Sequence, residues 1–468
     1  MSAAVALAFA DASIVVLGLP QIIERLHTTI PHVIWVIAAY NAALIVGALM
    51  IMTVGSRLPS ERALIAGLLL FGLASLAAGV ADSFRLLVGL RVVQGLGGAL
   101  LLVGSLPRLA GAVRSGESPL AGWAAAAAVG AALGPAAGGL LTDIFDWRAI
   151  FLAQAPVAAL AALAIGMAPK SDPEASAEAA GINPTSGRGE VADRSRRILA
   201  PMTANIALAL ISAALIGALF LVTVLLINVW GLTPLGAAAV LTVIPVATTL
   251  ADRLTRGRSP VRLGATGAVV LAAGLVVLAL ISHRELGLAL VALALCGAGL
   301  GLSYPPLTDA AIESSNRPAP RVARTVAARD AGLILGLLVL TPIFVNQLNT
   351  APRRAIPPIT KAVITAPVPL ALKIKLGAGL LQANAKAHPS QLPNIDPAFA
   401  RVSSGASPAT RAELSRLRDS VQSLIQRAAT DSFRRPLIYC AIFALLVLPL
   451  LLPGVRDRPS RSPRPAMT

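Results

Sequence analysis

For a chain of 468 residues, charge is scarce. Asp, Glu, Lys and Arg make up 13%, about half of what a soluble domain carries. Cysteine is almost absent: Cys296 and Cys440 both lie inside apolar runs, so neither a disulfide framework nor a cysteine-built metal centre is expected. Histidine numbers four, scattered along the chain, and no metal site or other cofactor follows from that spacing. Aromatics are 4%, with no aromatic-rich basic platform for nucleic acid despite a net charge of +17. No P-loop and no nucleophile–base pair stand out, so catalysis is not expected. The first apolar run lacks a basic n-region, so no cleavable signal peptide is expected.

What the chain has is apolar length. Hydrophobic residues make up 56% and the mean hydropathy is +0.77. Twelve segments are long enough to cross a bilayer: 3–20, 33–54, 63–82, 84–107, 120–142, 149–168, 203–228, 232–251, 262–282, 287–311, 326–347 and 436–454. A polar linker at 169–200 divides them six and six. It separates an N-terminal bundle (1–168) from a C-terminal one (201–347, completed by 436–454). Residues 348–435 form a long polar insertion before the last helix, and 455–468 a Pro/Arg/Ser tail expected to be disordered. Only about ten residues precede Asp11, short for a spanning helix with an inner anchor, which leaves room for a start upstream.

Topology explains the basic charge. With Met1 in the cytoplasm, the inner connectors and the tail hold most of the Lys and Arg, whereas the short outer connectors hold only Arg25, Arg85, Arg148 and Arg284. This is the positive-inside asymmetry, and it puts both termini in the cytoplasm of a cytoplasmic-membrane protein. The outer insertion is also basic, but it is long enough to escape the rule.

The segment 122–142, GWAAAAAVGAALGPAAGGLLT, is free of charge. Gly130, Gly134 and Gly138 fall on one helical face, Gly139 widens it, and Pro135 lacks a backbone N–H. Such a face lets two helices approach closely and bend; ordinary small-residue packing is the plainer reading.

These residues join others in a pattern. Asp11-Ala-Ser-Ile-Val-Val-Leu-Gly-Leu-Pro20, Trp35-Val-Ile-Ala-Ala-Tyr40, Arg91-Val-Val-Gln94-Gly95-Leu-Gly97, Gly130-x3-Gly134-Pro135-x2-Gly138-Gly139 and Trp147-Arg148-x2-Phe151 occur in that order. Together they resemble the major facilitator superfamily, and within it the drug:proton antiporters of the QacA/EmrB type. In the second half, Gly231-Leu-Thr-Pro234 and Ala251-Asp252-Arg253 look family-like, and Ala327-Ala-Arg329-Asp330-Ala-Gly332-Leu-Ile-Leu-Gly336 with Thr341-Pro342 resembles helix 11 of an actinobacterial branch with a long outer loop. The resemblance implies an all-α membrane fold of about twelve helices in two six-helix bundles with a central cavity, plus a small extracytoplasmic insertion. It implies secondary active transport, with the Gly130–Gly139 motif favouring exchange. One motif departs from the pattern. The loop between helices 2 and 3 reads Gly55-Ser-Arg57-Leu-Pro59-Ser-Glu61-Arg62, without the family's Asp, so Asp252-Arg253 carries the remaining latch.

Ionisable groups inside hydrocarbon are costly and are functional candidates by default. Asp11 is the only acid well inside the first six segments and Arg91 the only base at depth there. An arginine beside Asp11 would stabilise its carboxylate, and a movement that parts them would let Asp11 take a proton. The plainer reading is a static ion pair joining helices 1 and 4. Asn41 and Gln94 are candidates for the substrate cavity or for bonds between helices, and Tyr40 for a cavity aromatic or an interfacial anchor. Asp252, Arg253, Arg329 and Asp330 are expected at cytoplasmic helix ends as gate charges. Pro305-Pro306 should break helix 10 locally. In the insertion, 409–431 reads as an amphipathic helix with Leu414, Leu417, Val421, Leu424 and Ile425 on one face after Pro408. The piece 368–376 should pack on it or lie on the membrane.

The expected function is proton-driven export of a hydrophobic or amphipathic small molecule. Its partners would be the bilayer, the substrate and protons, with an envelope contact at the insertion and no nucleic acid. Facilitated uptake of a metabolite and a non-transporting receptor or scaffold are the alternatives.

Overall fold

A computed structural model describes residues 2–54, 60–111, 121–167, 201–255, 259–312, 318–386 and 393–451. The linker, the tail and residues 55–59 of the loop between helices 2 and 3 lie outside the described residues.

The first span joins α1 (Ser2–Ile14), a 3₁₀ turn (Val15–Gly18) and α2 (Leu19–Arg25). It runs five residues beyond Pro20, where the sequence reading ends it, because Pro20 occupies the first turn of α2, where a missing N–H costs nothing. The next spans are α3 (Ile30–Val33) with α4 (Trp35–Val54), α5 (Ser60–Gly79), α6 (Phe84–Gly111), α7 (Ala121–Ile144) and α8 (Trp147–Gly166). The second half holds α9 (Pro201–Val224) with a π turn (Leu225–Val229), α10 (Pro234–Leu241), α11 (Val243–Thr255), α12 (Pro260–Leu280) and α13 (Leu286–Ile312). It continues in α14 (Pro318–Thr365), α15 (Leu370–Lys386), α16 (Asp396–Ser403), α17 (Pro408–Asp431) and α18 (Arg434–Leu445). Eleven helices among the described residues are long and apolar enough to span a membrane. The 24-residue α7, uncharged from 122 to 142, makes a twelfth. Many large apolar side chains point outward, among them Met50, Leu73, Leu160, Leu163 and Val246, as a lipid solvent allows.

Local chemistry sets the boundaries. Asp146 caps α8 by accepting from the Arg148 amide at 2.8 Å. Thr233 caps α10 by accepting from Gly236 N at 3.1 Å, with Pro234 in the first turn. The preceding Gly231 has φ +67, so the corner after the π turn needs a residue without a Cβ.

Glycines bring the helices together, and they do so alike in the two halves. A Cβ at Gly130 or Gly138 of α7 would collide with the carbonyls of Ala6 and Ile14 on α1. At Gly332 and Gly336 of α14 it would collide with Ala209 and Ala213 on α9. Gly95 of α6 sits on the Tyr40 carbonyl of α4, as Gly297 of α13 sits on the Ile244 carbonyl of α11. Each half is therefore the same arrangement repeated. The halves meet through α4 against α14 and α7 against α10. The latter contact is made by Gly139 on Pro234 and Ala238.

Two expectations are corrected. Pro305 and Pro306 lie inside an unbroken α13: they remove two backbone donors, but their fixed φ suits a helix. And α14 does not stop at 347. Its 48 residues run to Thr365, about 72 Å at 1.5 Å per residue, against about 30 Å of hydrocarbon. Hydropathy falls at the membrane edge, but helical structure does not. The overhang, α15, α16 and α17 share a separate core of Val363, Leu376, Ile395, Phe399, Val402, Leu414, Leu417, Val421 and Ile425. The expected amphipathic helix is thus α17, capped by Ser407 with Pro408 in the first turn. Leu414, Leu417, Val421 and Ile425 turn inward as expected, and Leu424 is only half-buried. The 368–376 piece contributes Val368 and Leu376 to the same core.

Candidate functional site

Asp11 and Arg91 meet in the interior of the first half. Arg91 Nη1 donates to Asp11 Oδ1 at 2.9 Å and lies 2.7 Å from Oδ2. Both side chains are fully enclosed. Arg91 Nε donates to the Val36 carbonyl at 2.7 Å, and Nη1 also reaches Gln94 Oε1 at 2.6 Å. Gln94 Nε2 lies 2.8 Å from Gln154 Oε1, 2.7 Å from Ser75 Oγ and 3.3 Å from Asp11 Oδ1. The guanidinium stacks over the Tyr40 ring at 4.4 Å and near Phe151 at 5.6 Å. Helices α1, α4, α5, α6 and α8 therefore each bring a group to one network.

The network is not saturated. Arg91 Nη2 and Gln154 Nε2 are buried without a hydrogen-bond partner, and Asp11 Oδ2 has only its ion-pair contact with Arg91 Nη1. Nη1 serves two acceptors while Nη2 serves none, so the pair is short of the two-pronged geometry that best holds a buried arginine and carboxylate. A half-satisfied buried network is a high-energy arrangement that a second state can relieve.

The second half lacks this chemistry at the corresponding place. There Cys296 precedes Gly297 where Gln94 precedes Gly95. Around Cys296 lies a small void lined by Leu219, Leu271, Leu293 and Leu300, all apolar.

The expected cavity residues do not open to a cavity among the described residues. Gln94 ties four helices together. Asn41 donates to Ile37 O of its own helix at 2.9 Å, and its Oδ1 has no partner. Tyr40 is buried, donates to Ala8 O at 3.3 Å and meets Phe71 edge-on. Each points into the first bundle because the small residues beside it draw the neighbouring helix over it. Gly130, Gly134, Pro135, Gly138 and Gly139 do lie on α7 as read, with Pro135 inside a continuous helix. Asp252 and Arg253 lie in the last turn of α11, at a helix end as expected.

Arg329 and Asp330 are not at a helix end. They sit about 17 Å along α14 from Pro318, where α14 faces the first half. The Arg329 guanidinium stacks on Phe9 of α1 at 4.2 Å, and its Nε lies 3.0 Å from Asp330 Oδ1. Their place follows from α14 starting eight residues before the expected 326, which carries them deeper. Ser75 and Gln154 were missed by sequence reading. Gln154 left one signal, a polar amide in an otherwise apolar span; Ser75 left none.

Two repeated six-span halves around a polar first half define a transporter architecture, and a family model described as Major Facilitator Superfamily matches residues 1–342. The chain belongs to the Major Facilitator Superfamily. It is a multi-pass membrane transporter by that membership. It is 28% identical over 398 residues to the multidrug resistance protein Stp of Mycobacterium tuberculosis (strain CDC 1551 / Oshkosh), covering 73% of this chain and 74% of the relative. It is 36% identical over 169 residues to the lincomycin resistance protein of Streptomyces lincolnensis, covering 35% of this chain and 34% of that one. Among solved structures, a bacterial homolog of the human lysosomal transporter Spinster, inward-facing and occupied, superposes with a TM-score of 0.65 at 14% identity. That superposition covers 99% of this chain and 97% of the other, and it speaks to the fold alone. Among the described residues no cluster of metal-binding side chains occurs.

Proposed function

We propose that this major facilitator exports a hydrophobic or amphipathic small molecule across the cytoplasmic membrane by alternating access, driven by the proton gradient without any cofactor. The observation that carries the reading is the Asp11–Arg91 pair: fully buried and incompletely hydrogen-bonded, where the corresponding place in the second half, around Cys296, is apolar. In this cycle Asp11 is the proton carrier. While it is charged, Arg91 holds it and α1 stays drawn to α6. Protonation removes the ion pair, frees Arg91 to turn to other acceptors and loosens α1, whose glycine-mediated contact with α7 passes the motion to the interface with α10. The export direction is supported by relatives named for multidrug resistance, lincomycin resistance, and tetracenomycin C resistance and export. The basic connectors support cytoplasmic termini in this reading, with Asp252 and Arg253 as the cytoplasmic gate. The 348–435 domain is then outside, where the exposed Leu370, Ile374 and Leu381 of α15 offer a contact to the envelope.

Everted vesicles with an acid interior and a pH-sensitive dye test this. Addition of a substrate should collapse the gradient in the native protein and not in Asp11→Asn. Equal collapse by both proteins would refute Asp11 as the coupling group.

A further inference from the structure

Among the described residues, Arg329 is a partly open cation where the two halves meet. The Arg329 side chain is 14% exposed, whereas Asp330 is fully enclosed. Arg329 turns its Nε to Asp330, and its ring-stacking face is taken by Phe9 from the opposite half. No hydrogen-bond acceptor for the Nη groups other than Asp330 is found among the described residues. Tyr304 of α13 pairs with Ser212 of α9 at 3.4 Å. A guanidinium stacked on Phe9 at 4.2 Å, tied to Asp330 through Nε and partly open at its outer N–H groups, matches a carboxylate or phosphate in a planar two-pronged contact. The Phe9 ring beside it matches an apolar body.

We infer that Arg329 is a substrate-binding residue and that the substrate class is an amphiphile bearing an oxyanion head group, not a lipophilic cation. This rests on the reading that the substrate passes between the halves. Phe9 supplies the apolar wall on the first half and Arg329 the anion-recognising fork on the second, so the ligand bridges the two elements that alternating access must move. Asp330 neutralises Arg329 when no ligand is present, and an incoming oxyanion competes with it for the guanidinium. Removal of the Asp330 charge therefore strengthens anion binding, the opposite of removing Arg329.

The test is equilibrium binding of tritiated probes to the full chain in nanodiscs of zwitterionic lipid, with no pH gradient. Two matched pairs separate the sources of such a head group: oleate against oleyl alcohol for a membrane lipid, and 1-naphthylacetate against 2-(1-naphthyl)ethanol for a soluble aromatic acid. The acid should bind about tenfold or more tightly than its alcohol in at least one pair, the usual gain of a charge-assisted hydrogen bond. Arg329→Gln should abolish that preference while leaving alcohol binding in place. Asp330→Asn should raise acid binding severalfold. Equal binding of acid and alcohol in both pairs overturns the inference, as does an Arg329→Gln loss that falls equally on acid and alcohol. If Arg329→Gln does not fold, the native head-group comparison and Asp330→Asn decide the matter. Proton flux driven only by neutral or cationic compounds would overturn this inference and leave proton-driven export standing. Acid-selective binding without any proton flux would do the reverse.

Discussion

The Asp11–Arg91 pair makes a quantitative prediction that separates structure from coupling. Removing one partner of a buried ion pair leaves an uncompensated charge and costs about 3–5 kcal/mol. In Asp11→Asn the arginine keeps Val36 O and Gln94 Oε1, so a cost near the lower end, about 3 kcal/mol, is expected. In Arg91→Gln the carboxylate keeps only the longer Gln94 contact of 3.3 Å, and the cost should lie toward the upper end, about 5 kcal/mol. The double variant Asp11→Asn/Arg91→Gln buries no charge. It loses chiefly the bond to Val36 O, about 1–2 kcal/mol. Far from adding, the singles should therefore overshoot the double by several kcal/mol. One kcal/mol moves the melting temperature of a 150–250-residue unit by about 2–4 °C. The double variant should thus melt within a few degrees of the native protein, and each single about 6–20 °C below it. Thermal unfolding in detergent, followed by tryptophan fluorescence, reads this. Additive singles would refute the ion-pair energetics. A stable double variant that still couples substrate to proton flux would refute the coupling role and leave a static strut.

Other variants test neighbouring parts of the argument. Gln94→Leu leaves Ser75 and Gln154 with only their mutual 3.4 Å contact and takes one partner each from Arg91 and Asp11, and at about 1–3 kcal/mol per weakened charged group should lose about 2–6 kcal/mol, measured as the same melting shift. Gly130→Ala drives a methyl into the Ala6 carbonyl and should destabilise by about 1–3 kcal/mol. Gly89→Ala meets nothing within 4 Å and should be neutral or stabilising by up to about 1 kcal/mol, so the two in one assay check the close approach of α1 and α7. Val421→Ala, in the separate core outside the spans, should cost about 1–3 kcal/mol locally. Limited proteolysis should then cut within 348–435 while the spanning helices stay protected.

Much of this molecule is legible in one dimension. Span positions follow from hydropathy, helix termini from Pro234 and Pro408, and the close helix approaches from Gly130, Gly134 and Gly138, because each rests on residues near one another in the chain. Asp11 and Arg91 are legible too, since a charge inside an apolar run stands out whatever it touches. Their partners are not. Ser75 and Gln154 are ordinary polar residues in the sequence, and only the packing of α5 and α8 on α6 makes them part of the network. The same holds for Gln94 and Asn41, which face into the bundle and not the cavity the motif suggests, because helix rotation is set by the neighbouring helix.

The second half shows the division most clearly. Sequence determined that Arg329 and Asp330 lie on one helix next to a glycine-rich face. Only the tertiary structure decided that α14 begins early enough to carry them to the meeting surface, against Phe9 from a helix more than three hundred residues away. Sequence likewise determined an amphipathic helix in the insertion, and the structure decided that the overhang of α14 supplies the wall against which it folds. The physical reason is common to both. Hydropathy and helix propensity are properties of local segments, whereas the environment of a charge or an apolar face depends on which other segment covers it, and that is settled only when all the helices pack together.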